Sequence, residues 1–240
     1  MKVFLEQMFR SCNGLSCLKT LRHFFRWRRS LLEGSSPISD EQPWITFDAI
    51  RYLDKRVQPT DLVLEFGGGG STLFFLNRCR EVITIEHNNE WFSLLKELVE
   101  KKHLDNWTGR LVPPEQGHLV ASPEASNPEH YSSAEPKDVN YKNYASSIDC
   151  YPDEFFDIIL VDGRSRPACI KHAAPKLKKG GLLVLDNADR TYYFGPAIKE
   201  ILAEYSLVLS AKGASPYGPI FTQTNIWKKK RTPSALSAKT

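Results

Sequence analysis

Residues 61–72 read DLVLEFGGGGST. A short apolar run, Leu62 to Phe66, enters four consecutive glycines and leaves through Ser71 and Thr72 into a second apolar stretch, LFFL. A flexible spacer would not be bracketed in this way. Glycines between a buried strand and a helix permit a sharp turn and let backbone N–H groups face a ligand with no side chain between. The helix expected to begin near Ser71 offers its positive end to an anion. Within the turn, Gly67 and Gly69 occupy the spaced positions, and Gly68 and Gly70 read as permissive.

Outward from this turn the sequence alternates strand and helix. A helix is expected over 71–80, a strand over 81–86 (EVITIE), and a helix over 89–103 with Trp91, Leu94, Leu95, Leu98 and Val99 at helical spacing. A weak strand follows at 109–112, then a strongly apolar strand at 156–161 (FDIILV). A helix over 167–177 is stopped by Lys179-Gly180-Gly181. A strand at 181–185, a helix at 196–205 and an antiparallel pair at 206–209 and 220–228 complete the pattern. Continuous rather than alternating apolar runs indicate a parallel sheet covered on both faces. The fold class is therefore α/β, a Rossmann-like doubly wound and mostly parallel sheet, with helices preceding it.

The chain of 240 residues carries a net charge of +4, unevenly distributed. Residues 1–34 hold seven Lys/Arg against Glu6 and Glu33, and residues 228–240 hold five and no acid, so the middle carries −6. A basic character confined to the ends does not describe a nucleic-acid-binding domain, and no nucleic-acid partner is expected. Three regions follow: a basic amphipathic helical extension over 1–34, a main domain over 35–228, and a disordered basic tail over 229–240. In the first, Leu15, Leu18, Leu21, Phe25 and Leu32 recur beside Lys19, Arg22, Arg26 and Arg29. Such a helix either lies on an anionic membrane as a peripheral contact or packs on the domain with a solvated basic face. Trp44, Ile45, Phe47, Ile50 and Leu53 read as a second amphipathic helix. Residues 113–140, rich in Pro, Ser, Glu and Asn, read as an excursion that is either mobile or a lid. Five cysteines without metal-ligand spacing, and no secretory signal, place the expected compartment in the cytoplasm.

Glu86 ends the second strand about twenty residues beyond the turn, where an acid can accept both hydroxyls of a ribose. Turn and acid together indicate an adenosine-containing cofactor. The spacing Glu65-x-Gly67-x-Gly69-x-Ser71 resembles motif I of class I S-adenosylmethionine-dependent methyltransferases. The resemblance implies a seven-stranded sheet with an antiparallel C-terminal strand. It implies S-adenosyl-L-methionine as cofactor, with Glu65, Gly67, Gly69 and Ser71 near its methionyl part and Glu86 on its ribose. His87 then serves as a base, bonds the cofactor, or packs beside the adenine. Thr72 stands where a dinucleotide fingerprint requires a third small residue, which disfavours NAD. The phrases Ile85-Glu86-His87 with Trp91, VDGRSR (161–166) and LDNADR (185–190) resemble bacterial methyltransferases of unassigned substrate.

Asp162 ends one strand and Asp186-Asn187 end the next, so their oxygen-bearing side chains are expected to share a crevice. With Arg164 they form the candidate catalytic set. The same three residues resemble the metal site of catechol O-methyltransferase-like enzymes, which implies Mg²⁺ held by Asp162, Asp186 and Asn187. The likeness is partial, because Ser165 stands where those enzymes carry a lysine base. Without a metal, Asp162 orders its loop or meets the acceptor. Arg164, Arg166 and Arg190 either clamp an anionic acceptor or pair with Asp162, Asp189 or Glu86. Tyr141, Tyr144, Tyr192 and Tyr193 either line an acceptor pocket or cover a core edge. The functional expectation is O-methylation of a small-molecule or glycan-like acceptor by direct displacement. The alternatives are a catalytically inactive nucleoside-binding scaffold, or another enzyme on the same fold such as an aminopropyltransferase. Acceptor identity and oligomeric state stay open at this level.

Overall fold

The computed structural model describes residues 1–11, 20–136 and 138–231. The periodicity at Leu15 and Leu18, and residues 232–240 of the expected tail, lie outside the described residues. In chain order the helices are α1 (Lys2–Ser11), α2 (Phe24–Ser30), α3 (Phe47–Asp54), α4 (Gly70–Leu76), α5 (Asn89–Lys101), α6 (Lys142–Ser146), α7 (Arg166–Lys176) and α8 (Pro196–Ala203). The strands are β1 (Leu62–Phe66), β2 (Glu81–Glu86), β3 (Trp107–Leu111), β4 (Glu115–Gln116), β5 (Val139–Asn140), β6 (Phe156–Val161), β7 (Leu177–Leu185), β8 (Tyr205–Gly213) and β9 (Thr222–Lys229).

Seven strands form one sheet in the order β3-β2-β1-β6-β7-β9-β8. The first five are mutually parallel, and β9 runs antiparallel to both β7 and β8. Side chains alternate across it with the period of two that a pleated strand imposes. Val63, Val82, Ile158 and Val184 face a core shared with α1 to α5. Leu64, Ile83, Ile159 and Leu183 face a second core with α6, α7 and α8. The sheet is thus covered on both faces, as its continuous apolar strands require. Chain order reverses between β1 and β6, and ligand crevices open at such a point beyond the carboxyl ends of the strands.

Several boundaries differ from expectation for local reasons. The helix expected over 71–80 ends at Leu76, and the chain turns back so that Arg80 N donates to Asp61 O at 3.0 Å. The helix stop at Lys179-Gly180-Gly181 lies inside β7. There the ladder jumps from Phe156–Leu177 to Ile158–Leu182, and Gly180 takes φ +84° within the bulge. The helix expected to contain Trp44 starts only at Phe47, which leaves Trp44 outside it and half exposed.

The N-terminal helices are built into the first core. The Phe4 ring packs against Phe24 at 5.2 Å, Trp27 at 5.0 Å and Phe221 at 5.1 Å. Full burial of such rings contributes about 1.5–3 kcal/mol each. His23 Nε2 lies 3.0 Å from Asp48 Oδ1, and Arg22 pairs with the same carboxylate. Of the two readings of this segment, packing on the domain therefore accounts for the inner faces of α1 and α2. The polar excursion is anchored as well. β4 and β5 pair antiparallel, Tyr131 and Val139 are buried, and the Tyr131 hydroxyl sits 3.2 Å from His172 Nε2 on α7.

Candidate active site

The glycine turn is shaped by contacts on all sides. Gly67 takes φ +91°, and a Cβ there would lie 3.0 Å from the backbone of Gly163, the residue after Asp162 at the end of β6. The two strand ends at the switch point can approach only because neither carries a side chain. Gly68 and Gly70 prove as constrained as the spaced pair. A Cβ on Gly68 would meet Thr84 Cγ2 at 2.7 Å. One on Gly70 would meet Pro37 O at 2.1 Å and Gln42 O at 2.3 Å. The segment joining α2 to α3 is therefore strapped across the start of α4.

Glu65 and Glu86 occupy different sides of this turn. Glu65 is fully buried beneath it and does not line the crevice. Its carboxylate accepts Ser71 Oγ at 2.6 Å and Thr84 Oγ1 at 2.8 Å, and also the Thr72 hydroxyl. Thr72 Oγ1 in turn accepts Gly69 N at 3.0 Å, which closes the first turn of α4. Burial outweighs those hydroxyl bonds, and with help from the Glu86 charge it lifts the Glu65 pKa to about 7. Glu86 lines the crevice. Its Oε2 accepts Gly68 N at 2.8 Å, and Oε1 accepts the backbone N–H of His87 and of Asn88, each at 2.8 Å. Burial would raise this carboxyl too, but adjacent His87 and these N–H groups hold it below its ordinary value. A carboxylate held below its ordinary pKa thus faces the crevice. Trp91 Nε1 donates to Gly68 O at 2.6 Å and sets the indole beside Gly69.

Asp162 and Asp186 are brought together with Arg166 between their loops. Arg166 donates through Nη2 to Asp162 Oδ1 and to Asp162 O, both at 2.9 Å, through Nε to Gly163 O at 3.0 Å, and through Nη1 to Asp186 O. Asp186 is buried, and both its oxygens are engaged: Oδ1 by Thr224 Oγ1 at 2.7 Å and Oδ2 by Asn187 Nδ2 at 2.8 Å. Burial raises both carboxyls, each is raised further by a neighbouring acid, and Arg166 opposes the rise. Asp162 keeps about a quarter of its side chain accessible, and its Oδ2 makes no hydrogen bond among the described residues.

This donor set does not fit the expected Mg²⁺. A guanidinium already sits where a cation would neutralise the two loops, both Asp186 oxygens already accept a hydrogen bond, and Asn187 turns its amide nitrogen toward Asp186. Among the described residues no group of three or more His, Cys, Asp or Glu gathers as a metal cage.

Two adjoining chambers result. One, about 750 Å³, is lined by Gly67 to Ser71, Glu86, His87, Trp91 and Gly163. The other, about 740 Å³, is lined by Asp186, Asp189, Ser215 and Gly218 to Thr222. They share Trp44, Asp162, Arg164, Asn187 and Arg190. Arg164 makes no ion pair among the described residues, and Arg190 bonds the Tyr193 hydroxyl at 3.0 Å, so only Arg166 follows the salt-bridge reading. Tyr193 borders the first chamber, whereas Tyr141 and Tyr144 are core residues packed against His87. Sequence reasoning missed Pro37, Trp44, Trp91 and Gly163 as lining residues. For Trp44 the signal was present, since Thr46 before Phe47-Asp48 is a helix N-cap pattern that excludes it.

The strand order, the antiparallel β9 and a glycine turn at the switch point define the class I S-adenosylmethionine-dependent methyltransferase fold. No protein-family model and no curated protein matches the chain. Among solved structures it is similar to the protein SMU.1697c from Streptococcus mutans, solved in complex with SAH. The identity is 12% over 75% of this chain and 94% of that one, with a TM-score of 0.50. It is also similar to the N-methyltransferase NodS from Bradyrhizobium japonicum, at 12% identity over 77% and 93% of the two chains and a TM-score of 0.47. A third is the tRNA (m1A58) methyltransferase TrmI from Aquifex aeolicus, at 15% identity over 79% and 72% and a TM-score of 0.48. At these identities the likeness is one of fold. No helix among the described residues is long and apolar enough to cross a membrane.

Proposed function

We propose that this chain is an S-adenosylmethionine-dependent methyltransferase that methylates an oxygen of a small-molecule or glycan-like acceptor by direct displacement. The observation that carries the reading is Glu86. It is an ionised carboxylate at the crevice wall, fixed by three backbone N–H groups, one of them from the glycine turn. A chamber of about 750 Å³ beside it is ample for a nucleoside ligand. Glu86 would accept the ribose hydroxyls, and the turn from Gly67 to Ser71 would let the methionyl part approach the backbone.

When bound, the cofactor supplies an electrophilic sulfonium methyl, whose carbon–sulfur electron pair stays on sulfur as the new carbon–oxygen bond forms. The chain supplies alignment and a proton acceptor. Asp162 stands at the junction of the chambers, and its unpartnered Oδ2 would take the acceptor's hydroxyl proton. Arg166 fixes the other oxygen and so the carboxylate's orientation. Arg164 and Asn187, at the same junction, would orient an acceptor entering through the second chamber. VDGRSR (161–166), which carries Asp162, supports oxygen over nitrogen, since the Asn/Asp-Pro-Pro-Tyr/Phe pattern of many nitrogen methylators is absent from this strand end.

Calorimetric titration tests the reading. S-adenosylmethionine and S-adenosylhomocysteine are expected to bind, and NAD is not. Glu86→Ala is expected to weaken S-adenosylhomocysteine about 30-fold or more, the worth of one or two charge-assisted hydrogen bonds. Binding of NAD alone, or an unchanged affinity in the variant, would overturn the assignment.

A further inference from the structure

α1 and α2 are each seated on the domain by one side, through Phe4 and Met8 and through Phe24 and Trp27. The outward side is not simply polar. Phe9 is 71% exposed and Phe25 78%, and Val3, Leu31 and Leu32 are exposed with them. Single exposed apolar residues are ordinary. Here two largely exposed phenyl rings lie on helices that also carry the exposed Lys2, Arg10, Arg28 and Arg29, which make no ion pair among the described residues. The inward-facing cations are already engaged: Arg22 pairs with Asp48, and Arg26 lies 4.9 Å over the Phe47 ring and bonds Gln42. Only Glu6 and Glu33 offset the basic excess of these two helices and their flanks.

We propose that this outward side docks on an anionic lipid surface. Phe9 and Phe25 would enter the boundary between headgroups and acyl chains, and Lys2, Arg10, Arg28 and Arg29 would meet the phosphates. Interleaved aromatic and basic side chains on a helix that does not span are the composition of an interfacial contact. Charge complementarity selects the occupant. A second copy of the chain would set these same cations against themselves, and like-charge juxtaposition opposes association. The inward side of α2 adjoins the second chamber. Trp27 Nε1 donates to Gly218 O at 2.9 Å, and Tyr217 N donates to Ser30 Oγ at 3.2 Å. These bonds hold α2 against the turn that carries Ile220, itself 69% exposed. The inference stands whether or not the crevice transfers methyl groups.

Sedimentation of the full chain with vesicles tests it. Binding is expected to phosphatidylglycerol-rich vesicles and not to phosphatidylcholine vesicles, with release at high salt. Phe9→Ser/Phe25→Ser and Arg28→Glu/Arg29→Glu should each weaken binding about tenfold or more, with unchanged melting temperatures because these side chains are exposed. Failure to bind anionic vesicles, equal binding to neutral ones, or undiminished binding by both variants would overturn the proposal. So would a dimer that the Phe9→Ser/Phe25→Ser variant dissociates.

Discussion

The two halves of the crevice each hold a pair of acids, and they surround them differently. On the β1/β2 side no Lys or Arg among the described residues pairs with Glu65 or Glu86, and His87 Nδ1 lies 2.9 Å from Glu86 Oε1. Glu65 is bonded by three hydroxyls, and Glu86 by three backbone N–H groups. On the β6/β7 side Asp162 and Asp186 lie around one guanidinium. Burial is nearly complete for both glutamates, yet their protonation diverges, to about 7 for Glu65 and below the ordinary value for Glu86. The donors differ in kind. A hydroxyl can rotate and accept, so it follows a carboxyl that gains a proton, whereas an N–H can only donate and favours the ion. The left half thus keeps its variable proton under the turn and its fixed charge toward the crevice. In the right half Arg166 opposes a rise that burial still imposes on both carboxyls.

The largest expected effect breaks the right half. Arg166→Met leaves the buried Asp186 and the partly accessible Asp162 without their cation, and chemical denaturation should show a loss of about 3–5 kcal/mol. A loss below about 1 kcal/mol would mean that Thr224 and Asn187 suffice, and the halves would be alike. The next effect sharpens the left half. Glu65 has a folded-state pKa of about 7 against 4.5 for the ordinary group. The folded state therefore holds the extra proton between these values, so this contribution is complete below 4.5 and is lost as pH rises to about 7. The stability of the parent relative to Glu65→Gln should fall by on the order of 3 kcal/mol across that window. A flat difference would show that Glu65 is ionised throughout. The smallest concerns the strap. Gly70→Ala forces the Pro37 and Gln42 carbonyls aside, and a loss of about 1–3 kcal/mol in thermal unfolding is expected. An unshifted melting temperature would show that the strap yields freely.

What could be read in the sequence was what short-range pattern carries. Continuous apolar strands gave away a covered parallel sheet, and the interval from Gly67 to Glu86 located the crevice wall. Contacts between distant segments were not legible. Gly70 is required by carbonyls some thirty residues earlier, and nothing in its own neighbourhood distinguishes it from a permissive glycine. Glu65 sits one residue from the turn, but the pleat sends it under the sheet's end rather than into the crevice. Arg166 reads as one of three equivalent arginines. Only the packing of the β6 and β7 loops singles it out as the buried counter-ion, leaving Arg164 and Arg190 at the chamber junction.

β9 lies between β7 and β8, so a strand synthesised earlier, β8, is held in the sheet only by one synthesised later. During translation β7 must present a bare edge, and β8 must wait unpaired, until residues 222–229 have emerged. The same late strand delivers Thr224, which bonds Asp186 on one side and accepts Thr46 N at 3.0 Å on the other. Assembly of the crevice therefore waits for this strand, and a chain cut before it would leave β7 with an open seam.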